Sequence, residues 1–288
     1  MTTPDTTEDA RRVSRNLDAV VRCFWSDSFC EIHHGDAMAF LREAKAKSVD
    51  VICTDPPFFT PATHYQSRVS WGRAWADMSV LGEFFFQFAH EAKRVLKDSG
   101  HLLCFCHDES YPVFYPVAFG LWDFTACLIW DKTRPGMGKI FRHQHEMILW
   151  ASNSGAFCES DGKLHADILR HAPTLSRDRA HPVEKPPELI EELLGILTKP
   201  GHTVLDPFMG SGTTLEAAKR RGCKAVGVEM ERRYCEAAAD RLDRTRVDQR
   251  AGQGQLFCTA NAPGERCAVA HTLDPVVRLS ESKENHHA

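Results

Sequence analysis

A carboxylate, two prolines and an aromatic ring follow one another at Asp55-Pro56-Pro57-Phe58, directly after the apolar run Val51-Ile52-Cys53-Thr54. A strand of this kind delivers its carboxylate to the carboxyl edge of a sheet, where α/β proteins place their ligands. The prolines remove two N–H donors and fix φ, so the loop is stiff and presents carbonyl oxygens. Phe58 adds a flat apolar face beside the carboxylate. Two acceptors next to an aromatic platform suit a planar group with an NH2 to donate, such as an unpaired nucleobase. The plainer alternative is a strand that ends in a proline turn, with Phe58 packed against its neighbours.

A second chemical segment is Thr203-Val204-Leu205-Asp206-Pro207-Phe208-Met209-Gly210-Ser211-Gly212-Thr213-Thr214. Here an apolar run enters a glycine-containing turn and then a helical pattern, so backbone can approach a ligand closely. Glu229 ends the next apolar run, placed to accept hydrogen bonds from ribose hydroxyls. The third glycine of a dinucleotide fingerprint is missing, and so is the Gly-Lys-Ser/Thr of a phosphate loop. A nucleoside without a pyrophosphate fits better than NAD or ATP.

Other groupings carry less. His143 and His145 alternate beside Glu146, but no metal site is expected there. The 11 cysteines contain no Cys-x-x-Cys pair, and most sit inside apolar runs, as Cys53, Cys104, Cys106, Cys127 and Cys223 do. They read as free, buried thiols in a reducing cytoplasm rather than as a zinc or disulfide framework.

The elements that must position these segments alternate as in an α/β sheet. Strands are expected over 29–33, 49–54, 101–106, 124–130, 145–151, 203–205 and 224–228. Helices are expected from 37, then over 81–96, 187–197, 212–221 and 232–242. The stretch 153–180 is polar without sustained periodicity, and from 247 the chain reads as a flexible tail. The 288 residues suffice for a full α/β core, with 43% hydrophobic and 26% charged residues. No apolar run approaches the roughly 20 residues of a membrane span. The first 16 residues are polar, with no apolar core of a secretory leader, so none is expected. Net charge is −4 and the isoelectric point near 6.4, so a nucleic-acid ligand would have to meet positive potential concentrated on one face.

Taken together, the motifs resemble those of the DNA amino-methyltransferases, the family that makes N6-methyladenine or N4-methylcytosine. Asp55-Pro56-Pro57-Phe58 match its catalytic motif, and the loop from Asp206 to Gly212 is similar to its cofactor loop. His181-Pro182-Val183-Glu184-Lys185-Pro186 resembles the His-Pro-x-x-Lys-Pro element that precedes that loop, and Gly35-Asp36 stands where the family keeps an acidic residue. The resemblance implies a Rossmann-like α/β fold that depends on S-adenosylmethionine. It also implies the circularly permuted order called the β class, with the catalytic motif before the cofactor motif. Asp55 and the Pro56 carbonyl would accept the two N–H bonds of the target amino group while Phe58 stacks on the extruded base and Pro57 stiffens the loop. Asp36 would take the adenine amino group of the cofactor and Glu229 its ribose. Asp206, Phe208, Gly210, Ser211, Gly212 and Thr213 would hold the methionine part. Lys185 would meet the methionine carboxylate, with a phosphate or a surface carboxylate as alternatives. Neither a metal nor a covalent intermediate is required; a C5-cytosine methylase would need a Pro-Cys nucleophile, which is absent.

The resemblance further implies a flexible N-terminus over 1–20, a methyltransferase domain over 21–246 with a target-recognition segment at about 132–180, and a flexible tail over 247–288. The recognition segment carries Lys132, Arg134, Lys139, Arg142, Arg170, Arg177 and Arg179, and double-stranded DNA is the expected partner. Asp at the first motif position leans towards adenine, since N4-cytosine enzymes more often carry Ser, and cytosine remains the alternative. Methylation of RNA or of a protein glutamine, and a non-catalytic DNA-binding relative, are the rival readings. The expected setting is the cytoplasm and restriction–modification. A second copy of the chain is allowed as a partner. So is a sliding clamp docked through Gln253-Gly254-Gln255-Leu256-Phe257.

Overall fold

The structure is a computed structural model and describes residues 21–57, 77–136, 140–153, 165–174 and 184–248. In chain order, β1 (Arg22–Ser26), β2 (Cys30–His34), α1 (Ala37–Glu43), β3 (Val49–Thr54) and α2 (Met78–Val95) lead into β4 (Leu96–Cys106) and α3 (Tyr111–Leu121). Then come β5 (Phe124–Asp131), β6 (His145–Ser152), β7 (Ile168–Arg170), α4 (Pro187–Leu197) and β8 (Thr203–Asp206). The last elements are α5 (Thr213–Arg220), β9 (Lys224–Glu229) and α6 (Arg232–Arg244).

The described strands form one sheet in the order β1-β2-β9-β8-β3-β4-β6-β5-β7. From β2 to β4 every pair is parallel, so the carboxyl ends of β2, β9, β8, β3 and β4 lie along one edge. β6 runs antiparallel between β4 and β5, and β1 closes the other side as an antiparallel edge. Such a sheet is covered on both faces, which is why its central strands read as unbroken apolar runs; every residue of β3 and β8 is buried. Alternation splits their side chains between two cores. Val51, Cys53, Val204 and Ala225 pack under Leu189, Leu193, Leu215, Ala238 and Leu242 of α4, α5 and α6. Ile52, Leu102, Leu205 and Val226 pack under Phe40, Phe85, Phe88 and Phe114 of α1, α2 and α3.

The β3–β8 ladder has only two registered pairs, Val51 with Val204 and Ile52 with Leu205. Side chains reinforce it at both ends. Buried Asp50 accepts from the Thr203 backbone N–H at 2.8 Å and from Lys97 Nζ at 2.9 and 2.8 Å. At the carboxyl end the Thr54 hydroxyl donates to Asp206 Oδ1 at 2.7 Å.

Each strand and helix expected from periodicity is present, with ends displaced by a few residues; β4 begins at Leu96, straight from α2. Three elements were not anticipated. β1 and β7 are short edge strands with exposed positions and little alternation to read. α3 contains Pro112 in its first turn and Pro116 in its interior. A first-turn proline is tolerated because that N–H has no helical partner, but an interior one forfeits a hydrogen bond. Tertiary packing offsets that loss: the Phe114 ring stacks on Phe85 of α2 at 3.9 Å. Among the described residues no helix is long and apolar enough to cross a membrane. The eight described cysteines are all free, and six are buried. The tail motif Gln253–Phe257 lies outside the described residues.

Gly227 of β9 lies under the loop that follows β8. A Cβ there would meet Met209 Sδ and both Leu215 Cδ atoms, the latter at 2.9 Å. Gly227→Ala is expected to destabilise the fold by about 1–3 kcal/mol through overpacking, measured by urea denaturation; unchanged stability would mean that the loop and α5 move aside freely.

Candidate active site

Four neighbouring strand ends carry four acidic residues in a row: Asp36 two residues beyond β2, Glu229 ending β9, Asp206 ending β8 and Asp55 immediately after β3. Asp36 caps α1, its Oδ1 accepting from the Ala39 N–H at 2.8 Å. The preceding Gly35 N–H donates to the Glu229 carbonyl at 3.0 Å, which joins the ends of β2 and β9.

The loop after β8 is built around these carboxylates. Asp206 is buried and accepts from Thr54 and from the Phe208 N–H at 3.1 Å. Burial pushes its carboxyl up to about 6 against the pull of Thr54, Thr214 and Phe208. Phe208 turns its ring into the second core, 5.9 Å from Phe84 and 5.8 Å from Phe88. Gly210 donates its N–H to Glu229 Oε2 at 3.1 Å, and Glu231 donates to Oε1 at 2.7 Å. The Glu229 carboxyl is also pushed up to about 6 by burial. Its donors are backbone N–H groups rather than cations, an arrangement that keeps lone pairs for hydroxyl donors. Gly212 has a left-handed φ of 81° and caps α5, and a Cβ there would stand 2.8 Å from Ala238 Cβ. Only glycine meets both demands. Ser211 donates to Glu184 Oε2 at 3.1 Å, Arg241 donates to Glu184 Oε1 at 2.6 Å, and Arg241 also reaches the Thr213 hydroxyl at 2.7 Å. Glu184 and Arg241 therefore brace Ser211 and Thr213 from behind.

Asp55 opens a different chemistry. Lys185 Nζ donates to its Oδ2 at 2.6 Å and stands 3.1 Å from Glu146 Oε2. Glu146 is held in turn by Lys132, at 2.7 Å from Oε1. The four side chains are only 10–19% exposed. Burial raises the Asp55 carboxyl above its usual range and Glu146 adds to the rise, while the Lys185 ammonium opposes both. Flanked by two ammonium groups, Glu146 overcomes its own burial and falls to about 2. The Lys185 ammonium is raised because its two carboxylates outweigh burial. Asp55 Oδ1 is buried and accepts no hydrogen bond from any described residue. A desolvated acceptor of this kind suits a polar donor brought by a ligand.

Lys185, expected at the cofactor's methionine carboxylate with a phosphate or a surface carboxylate as alternatives, has its ammonium on Asp55 and Glu146. Glu146 was considered only beside His143 and His145 as a metal group. Lys132 was grouped with the recognition segment, and Glu184 was noted only as part of a motif. No periodicity signals these contacts, since they join β5, β6, the turn before α4 and the end of β3. Phe58, His181, Pro182, Arg177 and Arg179 lie outside the described residues.

The parallel sheet thus sets the glycine loop after β8 between the Glu229 carboxylate at the end of β9 and the Asp55 carboxylate just after β3. A DNA methylase family model (N6_N4_Mtase) matches residues 49–240. The Type II methyltransferase M2.DpnII of Streptococcus pneumoniae is 30% identical over 239 residues, covering 73% of this chain and 88% of that protein. Among solved structures, the S-adenosyl-L-methionine complex of TTHA0409, a putative DNA modification methylase from Thermus thermophilus, matches with a TM-score of 0.59 at 25% identity. That match covers 74% of this chain and 93% of the other. The cytosine-N4-specific PvuII DNA methyltransferase shares the fold, with a TM-score of 0.63 at 18% identity over 82% of this chain and 94% of its own. The chain belongs to the DNA amino-methyltransferase family, and S-adenosylmethionine is its cofactor.

Lys185→Met would leave two buried carboxylates without their shared cation, which costs about 3–5 kcal/mol at neutral pH. The pH slopes distinguish the two proteins. In the native chain Glu146, depressed to about 2 from 4.5, adds stability that is present above its unfolded value and lost as pH falls towards 2. In the variant Glu146 keeps Lys132, whereas Asp55, already raised by burial, loses the ammonium that opposes the rise, so its protonation as pH falls returns part of the lost stability. Urea denaturation across acid pH measures this, and parallel slopes would show that Lys185 does not hold Asp55 ionised.

Proposed function

We propose that the chain methylates the N6 amino group of an adenine extruded from double-stranded DNA. The observation that carries this reading is the division of labour on Asp55: Oδ2 is held by Lys185, while Oδ1 is buried and without a hydrogen-bond partner among the described residues. An aromatic amine is a poor nucleophile because its lone pair is delocalised into the ring. Asp55 Oδ1 and the Pro56 carbonyl accept its two N–H bonds and draw the nitrogen towards tetrahedral geometry, which frees the lone pair. The bound cofactor supplies an electrophilic methyl group. Oδ1 is also the acceptor for the proton that the nitrogen sheds, and burial has raised its affinity for one. Phe58 supplies the stacking face for the base. Fixed orientation is the rest of the contribution.

For the cofactor, the residues on the row fit the nucleoside it contains. Glu229 receives the ribose hydroxyls, Asp36 the adenine amino group, and the loop from Asp206 to Thr213 the amino-acid part. Lys185 keeps Asp55 ionised rather than binding the methionine carboxylate. The order along the chain, with Asp55 before Asp206, is that of the circularly permuted β class. The segment over about 132–180 reads the DNA sequence, and Asp55 in place of Ser favours adenine over cytosine.

Asp55→Ala is expected to lower methyl transfer by about 10²–10³-fold or more while calorimetry finds the cofactor affinity unchanged. Digestion of the methylated DNA to nucleosides, with mass identification, should yield N6-methyladenine; N4-methylcytosine would overturn the base assignment. Cofactor affinity should fall as pH drops through about 6, where Glu229 takes up its proton, by at most about tenfold per pH unit for one proton. Glu229→Gln should bind more weakly and lose most of that pH dependence; a variant that keeps it would move the ribose elsewhere.

A further inference from the structure

The β5–β6 hairpin carries a feature that the chemistry at Asp55 does not use. Ile140 and Phe141 are each 92% exposed, whereas Phe119, the next most exposed large apolar side chain among the described residues, is 65% exposed. Single exposed apolar residues are ordinary, but a neighbouring pair held almost wholly in water is not. Hydrogen bonds hold the two sides of the hairpin together as far as Gly136 and Arg142. Asp131 Oδ1 accepts from the Thr133 N–H at 2.8 Å and from Gln144 Nε2 at 2.9 Å. Backbone bonds join Lys132 N to the Gln144 carbonyl and Gly136 N to the His143 carbonyl, each at 2.8 Å. Arg142 folds back so that its Nε donates to the Gly136 carbonyl at 2.6 Å.

Position and charge say what would cover the pair. At its base the hairpin joins the catalytic network through Lys132 and Glu146, and Lys185 links Glu146 to Asp55. Phe141 lies five residues beyond Glu146, at most about 17 Å along an extended strand, past the edge on which Asp55 stands. Between Asp131 and Glu146 the sequence holds Lys132, Arg134, Lys139 and Arg142 and not one carboxylate, in a chain of net charge −4. Arg134, Arg142, His143 and His145 are exposed. Asp108, 3.8 Å from His143, and the adjoining Glu109 bring opposing charge to that flank. An apolar tip on a cationic stem matches the stacked bases and phosphates of a duplex, in which apolar side chains act as wedges between base steps.

We propose that Ile140 and Phe141 form a wedge that enters the duplex at the target base pair and occupies the space left by the extruded base. The inference rests on the reading that Asp55 acts on an extruded base. Phe141 fills the vacated stack, the neighbouring cations hold the flanking phosphates, and the cost of unstacking is offset where the base leaves. A wedge of this kind acts only while the base has to be removed from the stack. Its benefit should vanish on DNA whose target base is already unpaired.

The test compares wild type with Phe141→Ala, Phe141→Trp and Ile140→Ala on two duplexes carrying a sequence that the enzyme methylates in plasmid DNA. One duplex is fully paired, and the other has an abasic site opposite the target base. Binding is read by fluorescence anisotropy and turnover by methyl incorporation. Phe141→Ala should bind and methylate the paired duplex about ten- to a hundredfold less well, lose less than about threefold on the unpaired target, and recover with Trp. Ile140→Ala should show a smaller loss of the same kind. Both side chains are in water, so neither substitution threatens the fold, and cofactor affinity serves as the control. Equal binding of wild type and Phe141→Ala to the paired duplex overturns the wedge and assigns the apolar pair to a protein partner. Equal losses on both duplexes overturn it as well, because the contact would then be unrelated to base removal. Nucleoside analysis of the plasmid that finds neither N6-methyladenine nor N4-methylcytosine would count against the amino-methylation reading, while the binding comparison still decides the wedge.

Discussion

Thr54 and Asp206 stand 152 residues apart in the chain and share a hydrogen bond of 2.7 Å. That bond closes the carboxyl end of the β3–β8 pair, where only two backbone registers hold the strands together. Asp50 closes the other end by accepting from Thr203 and Lys97. Both chemical loops are consequences of this pairing. Asp55 leaves β3 one residue beyond Thr54, and the glycine loop leaves β8 at Asp206. Were these strands separated, the Asp55 carboxylate and the glycine loop would belong to unrelated parts of the molecule.

Along the same edge, burial sorts carboxylates by the company they keep. Asp206 and Glu229 have neutral donors and rise to about 6. Glu146 lies between Lys132 and Lys185 and falls to about 2. Asp55 sits between these cases, raised by burial yet paired with one ammonium. Groups of one chemical type thus take different duties because their surroundings push their proton affinities apart. The role proposed for Asp55 draws on both, a charge that accepts an amino group and a raised affinity for its proton. Glu146 serves as a permanent anion that fixes the position of Lys185.

A DNA enzyme with a net charge of −4 must localise its attraction. Asp36, Glu229, Asp206 and Asp55 stand in a row at strand ends, and Asp55 and Glu146 share the Lys185 ammonium. The β5–β6 hairpin carries cations alone between Asp131 and Glu146. Its root is tied to Asp55 through Lys132, Glu146 and Lys185. Exposed apolar side chains at its tip are compatible with solubility because they are few and surrounded by charge.

Much of this was legible in the chain. Apolar periods located most core strands and helices, because burial on both faces of a parallel sheet demands unbroken runs such as Val51 to Thr54. Asp55-Pro56-Pro57, the Asp206 loop and Glu229 stood out because tight turns and ligand contacts restrict residue types locally. Sequence reading failed where local rules are overridden. α3 survives Pro116 through ring stacking on α2, and the edge strands β1 and β7 are fixed by their partners rather than by their own pattern. The partners of Lys185 were out of reach for a similar reason. A lysine in a His-Pro-x-x-Lys-Pro element announces a charge but not its counterion, and Glu146 becomes that counterion only because antiparallel β6 inserts beside β4. Local composition determined which groups could do chemistry. The order of strands decided which of them meet, since electrostatic pairing depends on distance in space and not along the chain.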